Sequence, residues 1–227
     1  MDSYSGCRKA RGSLIVFEGL DWSGKTTNSC GLGRFLHVEG LQVERVAFPQ
    51  RRYSIDAYKL RDFLRGRLKL TEKEASKLFS KQRHEHKEWM GKLLKEGTNV
   101  IVDRYYHSGI AYSVANGLDP EESIQQEVGL WKPDLVIYLD ITPEVSFDRS
   151  AMQEERYDNY DTQAKVREIY RVLKDDTWVT IDALRDEEEI FKDVFAAAMK
   201  TVESCRYSPL ETLADFHFDQ VRTNLKN

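Results

Sequence analysis

Short apolar runs rich in β-branched residues punctuate the chain at wide intervals: Leu14–Phe17, Val43–Phe48, Val100–Val102, Leu135–Leu139 and Trp178–Ile181. Runs this short are read as strands covered on both sides. Charged stretches with helical spacing separate them. Thr26–Glu39 is predicted as a helix stopped at Gly40, and the long interval from Ser54 to Gly97 is predicted to hold two helices, with Gly97 as the cap of the second. Within that interval Ala75, Leu78, Phe79, Gln82 and Arg83 fall on adjacent turns, so Phe79 and Arg83 share a face. Pro143 opens a further helix through Glu144, Phe147 and Met152, and Glu187–Val202 makes the last long one. Gln153–Tyr160 has no period and is expected to be a mobile loop; Asp182–Asp186 is expected to be another loop. Strands alternating with helices predict a parallel five-stranded sheet with helices on both faces, a three-layer α/β sandwich. Residues 1–11 read as an N-terminal tail and 12–213 as one domain. The chain beyond Pro209 looks like an appendage, with 214–227 outside the domain, and Phe216 and Phe218 are expected to pack.

The loop after the first run carries the chemistry. Gly19-Leu20-Asp21-Trp22-Ser23-Gly24-Lys25-Thr26 fits the pattern Gly, four residues, Gly-Lys-[Ser/Thr] of a phosphate-binding loop, with a strand before it and a helix after it. In that context successive backbone N–H groups and the positive end of the helix converge on one spot. Lys25 adds a cation for the outer phosphates, and the Thr26 hydroxyl can hold Mg²⁺. The chain therefore reads as a nucleoside triphosphate binder of P-loop architecture. Ligands of an open parallel sheet bind beyond the carboxyl ends of its strands. Asp21–Thr26, Phe48–Arg51, Asp103–Tyr105 and Asp182-Ala183 all follow strand ends and are expected on one rim.

Composition narrows the partners. The 227 residues suffice for one full core, and 41% hydrophobic with 32% charged residues is ordinary for a globular chain. A net charge of −4 argues against a general nucleic-acid binder. Cys7, Cys30 and Cys205 are odd in number and widely spaced, which points to reduced thiols and a cytoplasmic setting, with the nucleus left open. No apolar run reaches the ~18 residues of a membrane span, and Met1–Arg11 lacks a signal-peptide core.

Asp103 and Arg104 follow the third run, where a carboxylate can organise Mg²⁺ and a guanidinium can bridge phosphates; the alternative is a structural ion pair. Arg51, after Phe48-Pro49, suits a dianionic monophosphate through its planar fork. Phe79 can stack on a base while Arg83 hydrogen-bonds its edge, against the plainer reading of a core Phe and a surface Arg. Arg149 and Arg156 flank the acidic run Gln153–Glu155, and with Tyr157 they can close as a lid (about 149–160) over transferring phosphates, or form an ordinary polar loop. His84 and His86 point to different helix faces and read as surface residues, not metal ligands.

Taken in order, Gly12–Asp21, Phe48-Pro49-x-Arg51, Leu78-Phe79-Ser80 with Arg83, Val102–Tyr105 with Ser108-Gly109 and Ala111-Tyr112, Lys132–Leu135, Glu155–Tyr157 and Ile181–Ala183 resemble thymidylate kinases, chiefly the eukaryotic type, over about residues 12–213. The resemblance implies phosphoryl transfer from Mg·ATP to thymidine 5′-monophosphate (dTMP) by a homodimer. It also implies site roles. Gly19, Asp21, Trp22, Ser23, Gly24, Lys25, Thr26 and Thr27 would lie at the ATP phosphates, and Thr26 and Asp103 at Mg²⁺. Arg149 would lie against adenine, and Asp182 would also serve ATP. Asp21 would accept from the sugar 3′-hydroxyl, Phe48, Arg51 and Arg104 would hold the acceptor, Phe79 would stack on thymine and Arg83 would donate to O4. Ser108 and Gly109 would line the acceptor site, Tyr112 would crowd out a 2′-hydroxyl, and Tyr157 and Gln163 would approach the nucleotide from the lid. Lys25, Asp103, Arg104 and Arg156 are the expected catalytic set.

One residue departs from the resemblance: Trp22 stands where the eukaryotic type usually has Arg. A guanidinium there neutralises charge on the transferring group, so Arg149 or Arg156 is expected to compensate. The rival readings are a deoxynucleoside kinase, a GTPase-type switch (for which no Asn-Lys-x-Asp is present) and a catalytically weak nucleotide binder.

Overall fold

The computed structural model describes residues 10–50, 54–150, 156–157 and 159–225. Five strands form one parallel sheet: β1 (Leu14–Glu18), β2 (Val43–Ala47), β3 (Asn99–Asp103), β4 (Leu135–Asp140) and β5 (Trp178–Asp182), in the order β2-β3-β1-β4-β5. The apolar runs dictate this order. β1, at the centre, is buried throughout, as is β3, whereas the edge strands β2 and β5 carry Glu44, Arg45 and Thr180. Register aligns Phe17 with both Asp103 and Ile137, and Ala47 with Asp103, so the carboxyl ends of the three strands on the β2 side finish level.

Helices α1 (Lys25–Val38) and α8 (Glu187–Cys205) cover one face. On the other, α4 (Tyr106–Ala115) lies between α3 (Glu72–Lys95) and α7 (Tyr160–Leu173). Local chemistry sets their ends. A Thr71/Glu74 capping box opens α3, and Gly97 (φ +95°) ends it in a conformation that costs glycine little. The Ser54 side chain accepts from Ala57 N–H at the start of α2 (Ile55–Leu64). Two expectations change. Tyr160 does not belong to a loop; it begins α7, because Asn159 caps the first turn by accepting from Thr162 N–H. His84 and His86 are half-buried, not surface residues. His84 Nε2 lies 2.9 Å from Gln126 C=O, and His86 meets Phe48 edge-on.

Helix α6 (Pro143–Ser150) starts at Pro143; Met152 and Gln153–Glu155 lie outside the described residues. Beyond α8, a short 3-10 helix (Asp215–Phe218) and α9 (Asp219–Leu225) pack on α7 and on α5 (Pro120–Gln125). Leu213, Phe218 and Val221 are buried in the same apolar core as β1.

Candidate active site

The ends of β1, β2 and β3 surround a cavity of about 660 Å³. At one end the loop Gly19–Gly24 turns into α1. Gly19 (φ +146°) cannot gain a side chain, since a Cβ would sit 2.5 Å from Leu139 C=O. Gly24 (φ +90°) is the N-cap of α1, whose first N–H groups have no carbonyl partner within the helix, and Gly24, Lys25, Thr26 and Thr27 line the cavity. Trp22 holds φ +63°, a strained region for a bulky side chain. Ser23 is buried, Trp22 is half-exposed, and Trp22, Lys25, Thr26 and Thr27 line the cavity. Lys25 is 5% exposed and donates to Leu20 C=O and, at 3.3 Å, to Ser23 Oγ. Burial, with Arg104 nearby, lowers its pKa to about 8 even though Asp21 and Asp103 oppose the shift. The loop thus holds a cation that lacks anionic partners strong enough to offset its desolvation, a site prepared for phosphate.

Asp103 and Arg104 part company at the end of β3. Asp103 Oδ2 accepts from Thr26 Oγ1 at 2.7 Å and from Arg45 Nη2 at 3.1 Å. Arg104, at φ +65°, turns across the cavity. Its guanidinium pairs with Asp21 Oδ1, donates to Ser108 Oγ at 3.1 Å and lies over the Tyr112 ring. The second oxygen of Asp21 accepts from Tyr112 O–H at 2.7 Å and from Gln163 Nε2 at 2.8 Å. Burial raises the Asp21 pKa, but the Arg104 and Lys25 cations outweigh it and hold the group below the usual carboxylate range. Burial and Asp21 both keep the Tyr112 phenol protonated. Ser108 Oγ also donates to Glu18 Oε2 at 2.6 Å. Glu18 is fully buried, which raises its pKa. His107, Ser108 and Arg104 oppose this and bring it down to about 2.

The far end of the cavity is built for a flat, polar-edged group. Phe48, Phe79 and Tyr157 supply rings. Arg83 is 3% exposed and forms a fork with Glu127, itself 2% exposed, through Nε (2.8 Å) and Nη2. This pair rests on Gly109, where a Cβ would come within 2.9 Å of both Arg83 Cζ and Glu127 Oε1. Ser76 and Ser113 face each other at 2.8 Å on the same wall.

Not every expected residue joins the cavity. Arg51 lies outside the described residues. Asp182 is exposed on the edge strand β5, away from the cavity lining, and its carboxylate accepts from Leu184 N–H. Arg149 donates to Trp22 C=O at 3.1 Å, which puts one cation on the outside of the phosphate loop. Arg156 is drawn away to Glu72 at 3.0 Å and lies over Phe63, and Tyr157 O–H reaches the same carboxylate at 2.6 Å. Sequence reasoning missed Arg45, Glu18 and Glu127. For the first two the signal was present: Arg45 breaks an apolar run, and Glu18 follows one immediately before the loop. Glu127 has no such signal, because a helix and a loop bring it to Arg83 from 44 positions away.

Residues 17–194 match the family model described as thymidylate kinase. A thymidylate kinase of Arabidopsis thaliana is 40% identical over 87% of this chain and 74% of its own length. That of Homo sapiens is 32% identical over 89% and 97% respectively. The solved thymidylate kinase of Candida albicans superposes with a TM-score of 0.80 at 27% identity, covering 90% of this chain and 99% of its own. A triphosphate loop and a ring-lined pocket with a buried Arg, joined by one charged network, are thus carried by a sequence matched over most of its length, and the chain belongs to the thymidylate kinase family.

Proposed function

We propose that this protein transfers the γ-phosphoryl group of Mg·ATP to dTMP, giving dTDP and ADP. The observation that carries the reading is the pair of unlike subsites on one cavity, with the Lys25 loop at one end and Phe79 and Arg83 at the other. Phosphoryl transfer between two nucleotides needs positioning and charge neutralisation more than covalent help. ATP phosphates would take the loop N–H groups and Lys25. Arg104 lies between the two ends and would hold the acceptor phosphate, assisted by Arg51. Its partner Asp21 would receive the sugar 3′-hydroxyl, and the Tyr112 ring beneath would exclude a 2′-hydroxyl. Arg83 Nη1, which its ion pair does not use, would donate to thymine O4. Cytosine presents an amino donor at that point and would leave the guanidinium unpaired.

The residues fit Mg²⁺. Thr26 Oγ1 and Asp103 Oδ2 meet at 2.7 Å, a hydroxyl and a carboxylate of the hard-oxygen kind this ion takes. Bound there, Mg²⁺ would neutralise charge on the phosphoryl oxygens. Thr26 would be the direct ligand, and Asp103, shared with Arg45, would hold a coordinated water. Arg149, beside Trp22, would supply the charge that the loop lacks. Arg156 would join it only after leaving Glu72.

A homodimer and a cytoplasmic setting rest on the family resemblance and on the free Cys30 and Cys205. Among the described residues no helix is long and apolar enough to cross a membrane. The experiment is ADP release with dTMP, dUMP, dCMP and thymidine. We expect turnover with dTMP, kcat/KM at least about 10²-fold lower with dCMP, and none with thymidine. Faster turnover with thymidine than with dTMP defeats the reading.

A further inference from the structure

Among the described residues, Glu127 is the anion paired with the Arg83 fork; beside it, Gln126 Oε1 accepts from Ser76 of the cavity wall at 3.3 Å. The C-terminal chain holds that segment on the side away from α3 and α4. Residues 211–213 run antiparallel to 129–132: Gly129 N–H donates to Leu213 C=O (2.8 Å), Leu213 N–H to Leu130 C=O (2.7 Å) and Lys132 N–H to Glu211 C=O (2.8 Å). On the other side of Glu127, α5 is gripped by Arg222 of α9. Its guanidinium forks onto Glu121 at 2.7 and 3.0 Å, and it is held from behind by Asp219 at 3.1 Å and by Asp215. The Arg222 side chain is only 14% exposed, and Gln125 at the end of α5 also donates to Asp215. From α3, Ser80 and His84 both hold the Gln126 carbonyl.

We infer that the segment 211–225 is a brace for base recognition: it fixes α5 and the turn after it, so that Glu127 holds Arg83 with one N–H edge aimed into the pocket. Glu127 and Arg222 are positioning residues, since neither touches the space a base would fill. A planar guanidinium clamped through Nε and Nη2 has its remaining nitrogen fixed in direction, which is what reading a carbonyl oxygen requires. Loosening the clamp leaves Arg83 in place but lets its fork rotate. This deepens the proposed assignment of Arg83 and rests on it.

The test uses the full chain with Glu127→Gln, Arg222→Met and Arg222→Lys, measuring kcat and KM for dTMP at saturating ATP, KM for ATP at saturating dTMP, and dTMP binding by calorimetry. Glu127→Gln should raise KM for dTMP at least tenfold and narrow the preference for dTMP over dCMP. Arg222→Met should raise KM for dTMP three- to tenfold, and Arg222→Lys should recover part of it. KM for ATP should stay within twofold throughout. Should Glu127→Gln not fold, as removing one partner of a buried pair risks, Arg222→Met, whose side chain lies outside the pocket, decides alone. Unchanged KM for dTMP in Arg222→Met, or an equal rise for both substrates, overturns the brace. If wild type turns over another pyrimidine monophosphate instead, the dTMP assignment fails while the brace is read on that nucleotide. If it binds none, both fail.

Discussion

The two ends of the cavity are made in opposite ways. At the phosphate end, eight consecutive residues, Gly19–Thr26, do nearly everything, and what they present is backbone N–H and one lysine. At the base end, Arg83, Glu127 and Gly109 come from α3, the turn after α5 and α4, and what they present is a side-chain edge. Phosphate is charged and nearly symmetric, so a ring of donors binds it without fine aim. A pyrimidine differs from its neighbours by one donor or acceptor, so its reader must be aimed, and aiming needs contacts from several directions.

Four measurements break or sharpen this contrast. The largest effect should come from Lys25→Met, with kcat lower by about 10³ or more. Thermal stability should rise in the same variant, because the folded chain disfavours the Lys25 charge; a fall in Tm contradicts a site strained by its own cation. Next, Gly109→Ala forces a methyl against the Arg83–Glu127 pair. It should cost about 10² in kcat/KM for dTMP, as a small misplacement of a positioning group does, with KM for ATP unmoved. If both KM values shift together, the ends are not independent.

Third, Arg149→Ala should lower kcat about tenfold or more and Arg156→Ala less, since Arg156 is tied to Glu72. Trp22→Arg in the Arg149→Ala background should restore turnover. Full turnover in Arg149→Ala removes that residue from the mechanism.

The smallest effects are in pH. Lys25 in the free enzyme loses its proton above about pH 8, so kcat/KM for ATP should decline there, because this ratio reports the free enzyme. The decline should vanish in kcat, where bound phosphates hold the proton. Glu18 works at the acid end. Its folded pKa of about 2 lies below the ordinary 4.5, so its stabilising contribution is complete above pH 4.5 and drains away as pH falls towards 2. Glu18→Gln should therefore flatten the acid limb of Tm against pH.

Most of the architecture was legible from residue pattern. All five strands lie where the apolar runs put them, because short β-branched runs between charged helices have few other solutions. The start of α7 was missed because Tyr160 follows a polar stretch and is announced only by the Asn159 cap. Among site residues, the loop and Asp103-Arg104 follow from strand-end position. Phe79 and Arg83 follow from helical spacing together with family resemblance. Asp182 ends a strand as expected; β5 is the sheet edge, three places from β3, and the Asp182 carboxylate accepts from Leu184 N–H.

The sequence by itself determined the sheet, the phosphate loop and the kind of chemistry, because each depends on residues close together along the chain. Only the tertiary structure decided which carboxylate faces which donor. Asp103 takes Thr26 and Arg45, Asp21 takes Arg104, Glu127 takes Arg83 and Glu72 takes Arg156. Such partners lie tens of residues apart, and charge pairing is set by distance in space, which packing fixes and local pattern does not encode.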